Sequence, residues 1–292
     1  MTQLHRETDP SRLATTSEPT PQPAALEVTG LVYAYKENRA VDGIDLTVPA
    51  GSVYGLLGPN GAGKTTAIRA ITTLLPIRPG MVRVFGLDPA RDQMGVRRSL
   101  GYVPQQLSAD SGLTGRENVT NFARLFDVPR SVRREKVERA LDAVGLLDVA
   151  DRMASAYSGG MVRRLELAQA LVSSPRLLIL DEPTIGLDPI ARDSVWEHIQ
   201  QVRAATGMTV LVTTHYMDEA EEYCDRISLM HKGRIRAAGT PEELVDSLPD
   251  GAGNSLEVAF RYYSGGVGLE ESGEGGSFRD VRSTRSTANR VR

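Results

Sequence analysis

The sequence predicts an α/β fold with a parallel core sheet, antiparallel strands flanking it and a mostly helical insertion. Three observations carry that reading. Residues 53–57, 177–180 and 209–212 are short, largely apolar runs, each followed by a polar loop and a helical period, as strands buried on both faces of a parallel sheet are. Residues 26–35 and 44–48 alternate more, as antiparallel strands do. From about 88 to 169 the pattern turns helical. Thr114 and Glu117 have capping-box spacing; Val119, Phe122, Ala123 and Phe126 then follow at helical intervals, and Val137, Ala140, Leu141 and Val144 repeat the period before Gly145.

Composition narrows the class. With 40% hydrophobic and 24% charged residues, the 292-residue chain has the make-up of a globular protein rather than a fibrous or wholly disordered one. A net charge of −3 supplies no basic field, so nucleic acid is not an expected partner. Cys224 is the only cysteine, which excludes an internal disulfide and a Cys-rich zinc site and suits a reducing compartment. No run approaches the roughly 18 consecutive apolar residues of a membrane span, and the start of the chain lacks the apolar stretch of an export signal.

The ends differ from the middle. Residues 1–24, with Pro10, Pro19, Pro21 and Pro23 among Ser, Thr and Glu, are expected to be a disordered leader. Residues 25–245 are the expected folded domain, with 88–169 inserted as a helical subdomain. Residues 246–292 form a C-terminal segment, expected to be mostly disordered from 264, where glycine pairs sit among Ser and Arg.

Two stretches carry the chemistry. Gly58-Pro59-Asn60-Gly61-Ala62-Gly63-Lys64-Thr65 fits G-x-x-x-x-G-K-[ST] directly after the strand at 53–57 and directly before a helical run. Its glycines let backbone N–H groups turn inward around a phosphate, and the helix N-terminus adds partial positive charge. Lys64 is expected to bridge β- and γ-phosphates and Thr65 to ligate Mg²⁺. Asp181 and Glu182 end the apolar strand at 177–180. Ligands collect at the carboxyl ends of such strands, so Asp181 is expected in the metal shell and Glu182 as the group that orients or deprotonates an attacking water.

Tyr157-Ser158-Gly159-Gly160-Met161, continued by Val162-Arg163-Arg164-Leu165-Glu166-Leu167-Ala168, resembles the signature sequence of ATP-binding-cassette (ABC) ATPases, placed before the acid pair as in that family. The resemblance covers roughly 26–245. It implies an ABC cassette of the P-loop NTPase fold, binding ATP and Mg²⁺ along Gly58, Pro59, Asn60, Gly61, Ala62, Gly63, Lys64, Thr65 and Thr66. Gln105 resembles the Q-loop glutamine, near the metal shell or the water, with Gln106 as its alternative; Asp188 resembles the D-loop residue and His215 the switch histidine. Tyr35, or Tyr33, resembles the aromatic that stacks on adenine.

Ser158, Gly159 and Gly160 open a helix and form a second anion site. In the family such a site faces the nucleotide of another cassette, so two chains sandwich two nucleotides head to tail. A homodimer is the expected form.

The chain resembles stand-alone ATPase subunits of bacterial drug-exporter systems, which work with a separately encoded transmembrane permease at the cytoplasmic face of the membrane. Tyr157 and Met161, the 163–166 continuation, the run 213–221 and the stretch Leu256-Glu257-Val258 lean that way, although Val258 stands where the family has an acid. Arg163 and Arg164 read as a solvated helix face rather than phosphate grips. The alternative is a cassette ATPase acting on nucleic acid or ribosomes, against which stand one P-loop and the absence of sustained heptads between Lys64 and Asp181.

Overall fold

The computed structural model describes residues 24–249 and 253–265. A long hairpin, β1 (Ala24–Tyr35) and β2 (Asn38–Pro49), opens the fold, and β4 (Val82–Val84) pairs on the other side of β1. These three strands form an antiparallel sheet of their own, in the order β2-β1-β4.

A second sheet of six strands is the core. β3 (Val53–Leu57), β5 (Leu100–Val103), β6 (Leu177–Asp181), β7 (Thr209–Thr214) and β8 (Arg226–His231) run parallel, and β9 (Arg234–Gly239) closes one edge antiparallel. The order is β5-β6-β7-β3-β8-β9. Successive side chains of a strand face opposite ways, so the sheet divides the core in two. Leu177 and Ile179 of β6 join Tyr54 and Leu56 against α1 (Lys64–Ile71) and the antiparallel sheet. Leu178 and Leu180 join Val53, Leu57 and Trp196 on the other side, which α6 (Pro189–Thr206) and the helical layer cover.

That helical layer comprises α3 (Gly115–Leu125), α4 (Arg130–Asp142) and α5 (Gly159–Leu171). Thr114 and Glu117 form the expected capping box at the start of α3. The stretch 88–169 is not helical throughout, however. After α2 (Gln93–Ser99) the chain forms β5, an edge strand of the parallel sheet. Unlike the equally short run at 177–180, Leu100-Gly101-Tyr102-Val103 follows directly on α2 and carries Gly101 and Tyr102, so no continuous aliphatic run marks it in sequence. β8 and β9 likewise escaped sequence reading.

The first strand begins at Ala24, the last residue assigned to the leader; residues 1–23 lie outside the described residues. α7 (Met217–Tyr223) follows β7, and α8 (Pro241–Asp246) continues one residue past the expected domain end. α9 (Leu256–Tyr263) packs on α7 and α8, with Ser264 closing its C-terminal end; the tail from 266 lies outside the described residues.

The order of the central strands places the site. β6, β7 and β3 are neighbours, so the loops leaving their carboxyl ends bring Asp181-Glu182, His215 and the glycine-rich loop together.

Candidate functional site: a phosphate cradle facing paired acids

The loop after β3 delivers Lys64 at the start of α1, where Gly63 is the N-cap with φ of 106° and no side chain caps the helix. The first-turn N–H groups therefore remain available to an anion. Gly63 needs to be glycine twice over: its φ is left-handed, and a Cβ would strike the carbonyl oxygen of Ala40. A Cβ at Gly58 would strike the carbonyl oxygen of Met230 on β8. Close packing of the loop against β2 and β8 thus requires these two glycines independently of any ligand.

Lys64 is 5% exposed. Its Nζ donates to the carbonyl oxygens of Gly58 at 2.6 Å and Pro59 at 3.3 Å, and lies 2.9 Å from Glu182 Oε1. Thr65 Oγ1 donates to Asp181 Oδ1 at 3.3 Å, and Thr213 Oγ1 donates to the same oxygen at 2.5 Å. Asp181 Oδ2 is buried without a hydrogen-bond partner among the described residues. An orphaned carboxylate oxygen beside a threonine hydroxyl has the chemistry of a hard-cation site, so Thr65 and Asp181 fit Mg²⁺.

Glu182 has φ of 52°, a left-handed conformation that costs a non-glycine residue about 1–3 kcal/mol. Two bonds hold its N–H, to the carbonyl oxygen and the Oγ1 of Thr213, each at 3.0 Å. The carboxylate then meets His215 Nδ1 at 2.5 Å through Oε2. Burial pushes the Glu182 carboxyl up, but the His215 hydrogen bond and the Lys64 charge outweigh it and hold it below its usual range. It is therefore an ionised acceptor at neutral pH.

A cleft of about 650 Å³ joins the loop residues from Pro59 to Thr66 with Gln105 and Glu182. Asn38, Arg39 and Ala40 of β2 and the Lys232-Gly233 turn complete its wall. These were not identified from sequence, where nothing distinguishes them from ordinary turn residues. Tyr35 is half-exposed, with its ring edge-on to Tyr33 at 5.1 Å, while Tyr33 packs partly buried on the core. Neither lines the cleft, although Tyr35 pairs with Asn38, which does.

Ser158 caps α5, its Oγ accepting from Met161 N at 3.3 Å, with Gly159 and Gly160 as the first helical residues. Asp188 caps α6 by accepting from Ala191 N at 2.9 Å. The two caps flank a second concavity of about 370 Å³, lined by Ser158, Gly160, Met161, Asp188 and Ala191 among others. It shares no residue with the first cleft.

Arg163 and Arg164 do not form a solvated face. Arg163 is 3% exposed and donates to the carbonyl oxygens of Pro104 and Gln105; the half-buried Arg164 donates to the carbonyl oxygen of Val144 at 3.1 Å. The helix period put them on α5, but only the tertiary fold shows that a loop covers this side. Sequence reading gave no role to Glu219 of α7, which is buried, accepts from Thr184 Oγ1 at 2.6 Å and Thr214 Oγ1 at 3.4 Å, and pairs with Arg192.

A P-loop cradle after β3 facing paired acids at the end of β6, two strands away in one parallel sheet, with a capped Ser-Gly-Gly helix apart from it, defines a cassette ATPase. A family model described as "ABC transporter" matches residues 41–185. The daunorubicin/doxorubicin resistance ATP-binding protein DrrA of Streptomyces peucetius is 49% identical over 224 residues, 77% of this chain and 68% of that protein. Nod factor export ATP-binding protein I of Rhizobium meliloti is 42% identical over 223 residues, 76% of this chain and 66% of that protein. Among solved structures, cbiO1 from Clostridium perfringens, part of the ABC transporter complex cbiONQ, superposes with a TM-score of 0.70 at 29% identity, covering 77% of this chain and 92% of that one. The chain belongs to the ATP-binding subunits of ABC transporters, and it binds and hydrolyses ATP coupled to transport. No helix of the described residues is long and apolar enough to cross a membrane.

Proposed function

We propose that this chain powers export of a drug or other hydrophobic compound by closing, as a homodimer, around two ATP molecules at the cytoplasmic face of a separately encoded transmembrane permease. The export direction rests on the likeness to the daunorubicin-resistance and Nod-factor-export proteins. The alternative, a cassette acting on nucleic acid or ribosomes, is not favoured, since these relatives belong to resistance and export systems.

The single observation that carries the dimer is the separation of the two concavities. Ser158 and Gly160 line one, Lys64 and Glu182 the other, and they share no residue. A second anion site in a chain that already has a cradle serves the γ-phosphate held by another copy, through an isologous two-fold.

Within each site, Lys64 exchanges its carbonyl and Glu182 partners for the β- and γ-phosphates, and the first-turn N–H groups of α1 bind the β-phosphate. Thr65, Asp181 and Gln105 would hold Mg²⁺, which would supply positive charge against the charge developing on the phosphate oxygens. Glu182, released from Lys64, accepts the proton of the attacking water, and His215 keeps its carboxylate aimed. Tyr35 stacks on the adenine. ATP but not ADP bridges the copies, so hydrolysis opens the dimer and moves the attached subunits.

Glu182→Gln tests the chemistry. ATPase activity should fall by about 10² to 10⁴-fold while ATP binding persists. Full hydrolysis by that variant would remove Glu182 from the role of base.

A further inference from the structure

Arg163 and Glu166 form a buried ion pair on α5 whose partners lie far away in sequence. Arg163 Nη1 donates to Glu166 Oε2 at 2.9 Å and to the carbonyl oxygen of Pro104 at 2.8 Å, and Nη2 donates to the carbonyl oxygen of Gln105 at 3.0 Å. Glu166 Oε1 accepts from Ser108 Oγ at 3.1 Å and from Ser108 N. One pair of side chains thus grips both ends of the segment 104–108. Deeper in the same helix, Gln169 Nε2 donates to Asn118 Oδ1, which also accepts from Asp110 N. The loop that puts Gln105 into the cleft wall is fastened along α5, and Ser158 caps the N-terminus of that helix.

Stability alone does not explain the pair. Apolar residues of similar volume are often as stable as a buried ion pair. Its distinctive contribution is geometric, because a guanidinium spans two carbonyls and a carboxylate in one plane.

We propose that Arg163 and Glu166 are positioning residues that fix Gln105 to the signature helix, so that seating Ser158 on the nucleotide of a second copy sets the place of Gln105 in its own site. This rests on the roles given to Gln105 and Ser158 above. A single 13-residue helix then carries both the anion site offered to the partner and the tether of the local glutamine.

The test uses full-length protein carrying Gln105→Ala, Arg163→Lys, or Arg163→Met with Glu166→Leu, each checked by thermal melting. Arg163→Lys keeps a cation beside Glu166 but loses the planar fork; the apolar pair leaves no charge buried alone. ATPase kcat, KM for ATP and the free Mg²⁺ giving half-maximal rate are measured. In the folded tether variants kcat should fall about 10- to 100-fold, as for a displaced catalytic group, with KM for ATP within about twofold and the Mg²⁺ requirement raised. Adding Gln105→Ala to Arg163→Lys should cause little further loss, because the same interaction is then removed twice. Losses that multiply would overturn the proposal, as would wild-type kcat in folded Arg163→Lys beside an impaired Gln105→Ala. Normal turnover by Gln105→Ala would instead refute the role of Gln105, and the proposal with it.

Discussion

Lys64 Nζ lies 2.9 Å from Glu182 Oε1, so the lysine of the glycine-rich loop and the second of the paired acids are ion partners across the cleft. Both side chains are at most 5% exposed. Their pairing satisfies two buried charges with one contact, and under the roles proposed above a phosphate entering the cradle would compete with Glu182 for Lys64. On that proposal, binding of the γ-phosphate and release of the Glu182 carboxylate would be the same exchange.

Lys64→Ala should for this reason lower ATP affinity by about 10- to 100-fold, the equivalent of one or more lost charge-assisted hydrogen bonds. Titration calorimetry with ATP checks it. Lys64→Ala combined with Glu182→Gln should be more stable to heat than Lys64→Ala alone, because the single change leaves a buried carboxylate with one cationic neighbour fewer. Equal melting temperatures would show that the pairing does not shape the site.

The proposed head-to-tail arrangement makes a prediction that a single-chain site cannot reproduce. Ser158→Arg and Glu182→Gln proteins should each be nearly inactive alone. In a mixed dimer, the cradle of the Ser158→Arg chain meets the intact cap of the Glu182→Gln chain, restoring one of two sites. Random mixing of independent sites gives about a quarter of wild-type activity. A mixture no more active than its components would argue for sites completed within one chain. Ser158→Ala, which loses only the cap, should also lower stability by about 1 kcal/mol, readable in a denaturant titration.

Much of this site was legible because its chemistry is local. The glycines, Lys64 and Thr65 lie within eight consecutive positions, and Asp181 and Glu182 betray themselves as acids at the end of a strand otherwise wholly apolar. β5 and β8 were not legible. The first follows directly on a helix and is broken by Gly101, and the second opens with an exposed arginine and ends in histidine. Arg163 was misread for a different reason: the loop it grips is 58 positions away, and no periodicity reports a partner at that distance. The cleft wall from Asn38 to Ala40 depends on how a hairpin leans over the glycine-rich loop, which is a property of tertiary packing alone.

Glu182 and Glu219 are both buried near the strand ends, yet they respond oppositely to pH. His215 and Lys64 overcome the burial of Glu182 and hold its carboxyl below 4.5, whereas burial dominates at Glu219 and holds its carboxyl above 4.5, against the hydrogen bond from Thr184 and the charge of Arg192. A carboxyl lowered by folding stabilises the fold above its ordinary value, and that stability is lost as pH falls through the folded value. A carboxyl raised by folding binds its proton more tightly when folded, so its contribution is lost as pH rises from the ordinary to the folded value.

Melting temperatures followed from pH 3 to pH 7 should therefore separate the two. Glu182→Gln should flatten the acid limb below pH 4.5, and Glu219→Gln should flatten a decline on the alkaline side of it. Glu219→Ala should be worse than Glu219→Gln at every pH, by about 1–3 kcal/mol, because alanine leaves Thr184 without its buried acceptor. Identical pH profiles for Glu182→Gln and Glu219→Gln would show that the His215 and Lys64 contacts do not set the charge state of Glu182.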